Sequence, residues 1–314
     1  MVTKYTKIIL PAKPQPDTIV GTFLLRKFGG AKYPGIEDAE LKVMSMLPES
    51  VESMEQQGAM LVDIGKGKFD HHGTQKTVSQ QIAEDLGVDQ DPALQRLLQY
   101  AERDDKHGMG TISKDSIDRA FGLSGLISSL TRSMPNDPQR VVEIIMPLLE
   151  AHYVEQEKWF QELPKEFSTR LNEGKAGVHR VLQKGKSLKV ISIESDGQSM
   201  AAYLRSHAGQ KADVVIQRSS SGHVNIVTLQ QKKIDLRMAA GLMRFEESKM
   251  RNRTIAVKPE ELMKPGRIEE VPEWYYDTAT NSLLNGGLHP QGTEGTAIPF
   301  VKLKEILLEG LGGV

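Results

Sequence analysis

Short apolar runs alternate with amphipathic stretches along the whole chain, the rhythm of strands followed by helices. Lys7–Leu10 predicts the first strand, and the proline-broken stretch 11–16 cannot be helix interior. Asp17 then reads as the N-cap of a helix over Thr18–Phe28, with Ile19, Phe23 and Leu24 on one face. Leu41–Met44 predicts a short strand. Met60–Ile64, apolar and bounded by glycines, predicts a buried one that delivers Asp63 near its carboxyl end. That end is where open α/β sheets usually hold ligands. Helices are predicted over Thr77–Leu86 and Pro92–Arg103.

From Ser113 to about Asn172 the pattern is mainly helical. Asp137-Pro138 is a start signal, and Val141, Ile145, Leu148, Leu149, Tyr153 and Phe160 fall near one face beyond it. Pro147 and Pro164 should kink or divide this segment, and Gly174–Gly177 is the predicted domain boundary. The second half predicts strands at Lys189–Ile193, Ala212–Gln217 and His223–Leu229, the last two as a hairpin across Arg218–Gly222. Helices are predicted at Gln198–Ser206, at Ile234–Phe245 with Met238, Leu242 and Phe245 as its core stripe, and at Phe300–Leu308. The fold class is therefore α/β. It comprises an N-terminal domain (1–135) with a mostly parallel sheet and flanking helices, a helical linker (136–176), and a smaller C-terminal α+β domain (177–314).

Composition narrows the chemistry. A chain of 314 residues is long enough for two cores at about 150 residues per domain. The net charge of -1 gives no global footprint for long nucleic acid. With no cysteine, disulfides and thiolate ligands are excluded, and His and carboxylates are left as metal ligands. No stretch has the length of a membrane span, and the N-terminal apolar run is too short for a signal peptide, so a cytoplasmic protein is expected.

Candidate chemistry gathers after Asp63. Asp70-His71-His72 follows seven residues on, between Gly67 and Gly73. A strand-end carboxylate with an Asp-His-His loop brings together ligands that suit Mn²⁺, Zn²⁺ or Fe²⁺. Two histidines in a glycine-bounded turn are alternatively plain exposed residues. Asp104 and Asp105 sit at the predicted negative end of a helix, where acidic residues are disfavoured, so a metal, Arg103 or Lys106 is their expected partner. In Asn285-Gly-Gly-Leu-His289, two glycines let backbone N–H groups approach an anion, with a simple turn as the alternative.

With these residues in hand, the chain resembles the DHH phosphoesterase superfamily, which includes exonucleases, nano-RNA and cyclic-dinucleotide phosphodiesterases and manganese pyrophosphatases. Its nearest likeness is to the metal-dependent protein hydrolases, whose Val-Asp-Val-Gly and Tyr-Asp-His-His motifs read here as Val62-Asp-Ile-Gly65 and Phe69-Asp-His-His72. The resemblance covers the chain to about residue 110. Beyond that, it extends to the superfamily's small substrate-binding domain only in layout and in a Gly-Gly-x-His segment.

The resemblance implies a metal held by Asp17, Asp63, His71 and Asp105, with Asp104 left open as an alternative to Asp105. Mn²⁺ is the expected ion, Mg²⁺ or another divalent metal the alternative. It also implies a departure. Where the superfamily's first motif has His-x-x-x-Asp-x-Asp, this chain has Pro11 and Gln15 at the first two ligand positions. One of the usual two metals has thus lost two ligands.

His72 or His107 is the expected general acid or phosphate contact, and Gly286, Gly287 and His289 the expected anion cradle. Two functions follow: a metal-dependent phosphoesterase acting on a small phosphorylated substrate or short oligonucleotide, or a degenerate, non-catalytic ligand-binding or regulatory protein of the same fold. No membrane partner is expected, and a homodimer stays open.

Overall fold

The computed structural model describes residues 4–108, 114–286 and 292–312. The chain divides into two units of almost equal length, Met1–Lys158 and Trp159–Val314. It is a mixed α/β protein, with a three-stranded parallel sheet in the first unit and a seven-stranded mixed sheet in the second.

The first unit runs β1 (Lys7–Pro11), α1 (Pro16–Phe28), β2 (Glu40–Met44), α2 (Val51–Gln56), β3 (Ala59–Leu61), α3 (Val78–Leu86), α4 (Gln95–His107), α5 (Ser116–Phe121), α6 (Leu123–Ser133) and α7 (Pro138–Glu157). β1 lies between β2 and β3 and pairs with both in parallel, with Ile8 opposite Leu41 and Met60. Its side chains alternate between two cores. Ile8 and Leu10 join the larger one with α1, α3, α4 and α7, while Ile9 packs with Met54, Ala59 and Leu61 on the other face. A strand buried on both faces needs a continuous apolar run, and Ile-Ile-Leu supplies it.

The predicted Met60–Ile64 strand is shorter than its apolar run. The ladder ends at Leu61, Val62 makes one isolated bridge to Phe69, and Asp63 turns to a φ of 58°. The helix predicted from Thr18 starts at Pro16, with Gln15 as N-cap and no side-chain cap, so Asp17 does not cap its own helix. Proline is pre-organised for the first helical position, which displaces the start by two residues.

The segment read as a linker is divided between the units. Asp137 caps α7 as predicted, and Val141, Ile145, Leu149 and Tyr153 are buried in the first core while Leu148 is exposed. Pro147 lies inside α7 without ending it; the helix gives way to a π turn at Lys158–Glu162. Pro164 sits in the first turn of α8 (Leu163–Asn172), whose Leu163 and Phe167 belong to the second unit's core.

The second unit continues with β4 (Ala176–Gln183), β5 (Lys186–Glu194), α9 (Met200–Arg205), β6 (Val214–Arg218), β7 (Val224–Thr228), α10 (Arg237–Met250), α11 (Pro259–Leu262), β8 (Gly266–Arg267), β9 (Tyr275–Asp277), β10 (Ser282–Asn285) and α12 (Phe300–Gly310). The sheet order is β4-β5-β6-β7-β10-β9-β8, and β5–β6 is its one parallel pair among the described residues. β6 and β7 form the predicted hairpin.

The Met238–Leu242–Phe245 stripe is a correction. Leu242 packs against the core as predicted, but Met238 and Phe245 are about half exposed, and α10 buries Ala239, Ala240 and Met243 instead. The cause is a close helix crossing: a Cβ on Gly310 of α12 would stand 2.5 Å from Ala239 Cα, so small residues mark the packed face.

Arg244 on α10 is fully buried, and no carboxylate pairs with it among the described residues. Its guanidinium donates instead to four backbone carbonyls, those of Leu262, Lys264, Gly266 and Trp274. Burial pushes its pKa down to about 10, so it stays charged at neutral pH. Removing it strands those acceptors. Arg244→Met is expected to cost about 3 kcal/mol, read from urea denaturation, with Arg244→Lys losing less because a positive donor remains.

Candidate metal centre

Asp17, Thr18, Asp63, His71 and Asp105 converge in the first unit, beyond the carboxyl ends of β1 and β3. Asp17 comes from the first turn of α1, Asp63 from the turn after β3, His71 from the Asp-His-His loop and Asp105 from the last turn of α4. Ligand atoms of Asp17, His71 and Asp105 lie within 4.8 Å of one another, and so do those of Asp63, His71 and His72. His71 belongs to both groups. Its Nε2 is 3.2 Å from Asp63 Oδ1 and its Nδ1 3.9 Å from Asp105 Oδ2.

Asp17 is almost fully buried, and its carboxylate caps a different helix from its own. It accepts from Val78 N at 2.8 Å, Ser79 N at 3.0 Å and Ser79 Oγ at 2.5 Å, so it closes the N-terminus of α3. Thr77 completes that terminus with a capping box to Gln80. The free N–H groups and the positive end of the helix dipole both favour an anion there.

Asp63 is held by its backbone and by one hydroxyl. Its N–H donates to Phe69 O, which pins the loop, and Thr18 Oγ1 donates to Oδ2 at 2.9 Å. The other oxygen, Oδ1, is buried with no hydrogen-bond donor directed at it, although His71 Nε2 is near. Burial raises the Asp63 pKa above the usual carboxylate value, and nearby Asp17 adds to the rise, while Thr18 and the histidines act against it. Desolvated carboxylates that repel one another and leave an oxygen unpaired make a pocket suited to a cation. Each of the two groups offers carboxylate and imidazole donors, the kind that bind divalent ions.

Asp105 is the exposed member of its pair and the one that joins a group. Asp104 is buried, with Oδ1 unpaired, and burial raises its pKa. His72 is mostly exposed. Its Nδ1 lies 2.6 Å from Asp70 Oδ1, and because the carboxylate accepts, Nδ1 carries the proton. This bond raises the His72 pKa. Burial would lift Asp70, but hydrogen bonds from His72 and from Lys66 N outweigh it and lower its pKa.

His107, the last residue of α4, is exposed and joins neither group. Pro11 ends β1 and Gln15 is an exposed N-cap. Gly286 bridges to Val224 at the end of β10, whereas Gly287 and His289 lie outside the described residues. A cavity of about 900 Å³ in the second unit, beside Met238 and Met263, involves none of these residues.

The loop is tethered from behind as well. Phe69 is buried against the edge of Tyr33, and Lys68 spans from Asp85 to the Tyr33 hydroxyl. Lys32 and the Tyr33 hydroxyl also reach Asp85. The chain matches no protein-family model, and no curated protein matches it.

Two predictions follow from these roles. Burial opposes ionisation of Asp85, but the bonds from Lys32, Tyr33 and Lys68 win and lower its pKa to about 2, below the ordinary 3.8. A depressed folded-state pKa contributes stability above the unfolded value and loses it as pH falls through the folded one. Thermal midpoints of the wild type should therefore fall between about pH 4 and 2, and those of Asp85→Asn should fall less steeply over that window. Asp17→Ala should cost about 2 kcal/mol in urea titrations even with EDTA present, because the buried N–H groups of Val78 and Ser79 at the start of α3 lose their acceptor. Asp105→Ala, being exposed, should stay within about 0.5 kcal/mol.

Proposed function

We propose that the protein is a divalent-metal-dependent phosphoesterase acting on a small phosphoester or a short oligonucleotide. The observation that carries this reading is the pair of ligand groups that share His71 beyond the strand ends, one with Asp17 and Asp105 and one with Asp63 and His72, with the unpaired, buried Asp63 Oδ1 among them. The motif likeness of Val62-Asp-Ile-Gly65 and Phe69-Asp-His-His72 to the DHH phosphoesterases supports the same class.

Asp17, Asp63, His71 and Asp105 would hold the ion, Mn²⁺ by preference, which when bound supplies Lewis-acid polarisation and a water of lowered pKa. His72 is the residue for the phosphate. Its Nε2, the ring nitrogen not engaged by Asp70, can donate to a phosphoryl or leaving oxygen when protonated, and Asp70 both raises its pKa and fixes its tautomer. His107 is a weaker choice, since it joins neither ligand group. A near-neutral chain suits small anions better than long polymers. Gly286, Gly287 and His289 stand as the proposed anion contacts of the second unit.

One observation favours a second reading. Pro11 has no ligating side chain and the exposed Gln15 offers only a neutral carbonyl oxygen where the first motif has its two ligands. A chain so altered would bind a phosphorylated ligand without turning it over.

The two readings separate in one assay series. Elemental analysis of the purified protein should find about one divalent metal per chain, lost in Asp63→Asn. With Mn²⁺ added, a panel of pyrophosphate, cyclic dinucleotides and short oligonucleotides should show turnover that falls at least about 100-fold in Asp63→Asn. Thermal stabilisation by nucleotides without any product would favour the binding protein instead.

A further inference from the structure

Thr18 and Thr22 lie one turn apart on α1, both fully buried, and they use their hydroxyls differently. Thr22 Oγ1 donates to the carbonyl of Thr18 at 2.8 Å, the ordinary way in which a helical threonine satisfies itself. Thr18 makes no such local bond among those described. Its Oγ1 leaves the helix and donates to Asp63 Oδ2, 45 residues along the chain.

We infer that Thr18 is a positioning residue that sets the plane of the Asp63 carboxylate, leaving Oδ1 as the oxygen presented to a divalent cation. The inference rests on the metal reading above. Asp63 has little else to fix its side chain. Its neighbour Asp17 accepts three donors from α3, so loss of one leaves two. For Asp63, Thr18 is the one side-chain donor with hydrogen-bond geometry among the described residues.

Thr18 is itself rigid. A β-branched side chain on a helix has few rotamers, full burial removes the rest, and α1 is locked against α3 where a Cβ on Gly21 would meet Ile82 Cδ1 at 2.9 Å. Such outer groups orient a ligating carboxylate at little cost, and losing one typically weakens metal binding 10–100-fold.

The test measures Mn²⁺ affinity of the full chain by calorimetry, after metal has been stripped with EDTA. Thr18→Val keeps the side-chain shape and removes the hydroxyl; Thr18→Ser keeps the hydroxyl. Thr18→Val should bind Mn²⁺ about 10–100-fold more weakly, while Thr18→Ser stays within about threefold of the wild type. Should Thr18→Val fail to fold, Thr18→Ala is read in the same way. Equal affinity in Thr18→Val and wild type, or an equal loss in Thr18→Ser and Thr18→Val, overturns the role of Thr18 alone. A wild type that binds no Mn²⁺ overturns the metal reading, and this inference with it.

Discussion

A carboxylate buried at the start of α1 must find donors or drive the fold apart, and Asp17 finds three on α3. That one requirement fixes how α1 and α3 meet. Their close approach at Gly21 follows, and with it the placing of Thr18 over Asp63. The contacts that fold the first unit are thus the contacts that bring the candidate ligands together. A site of this kind is assembled as a by-product of helix capping, before any ion is considered.

Much of this architecture was legible in the residues. Ile-Ile-Leu in β1, the Asp137-Pro138 start of α7 and the β6–β7 hairpin carry strong local signals, and each element stands where it was expected. So was the coming together of Asp63 and His71, because a short loop joins them. What could not be read is what depends on partners far along the chain. Asp17 looked like a cap because it follows a proline loop, and nothing local announced that Val78 and Ser79 would claim it instead. Thr18 and Ser79 carry no signal at all. β4 escaped because an edge strand bearing Gly177, His179 and Arg180 lacks the apolar run of a buried one. On α10 the larger apolar residues suggested the core, yet close packing against α12 selected the alanines.

The two units solve the problem of buried charge in opposite ways. In the first, acidic groups are gathered with too few donors, and oxygens of Asp63 and Asp104 go unpaired. In the second, Arg244 is buried alone but spreads its guanidinium over four carbonyls. The Arg244 arrangement is met largely by the protein itself, with only Nε left without a partner. The acidic groups of the first unit leave carboxylate oxygens open.

The left-handed backbone at Asp63 limits what can stand there. Of the residues with side chains, Asp and Asn adopt that conformation most readily, and glycine adopts it freely. Sequence drift at this position is therefore channelled. A lineage that abandoned the carboxylate would keep its turn by moving to Asn or Gly, and would be recognisable by that choice. The backbone would then preserve the outline of the site long after its chemistry had gone.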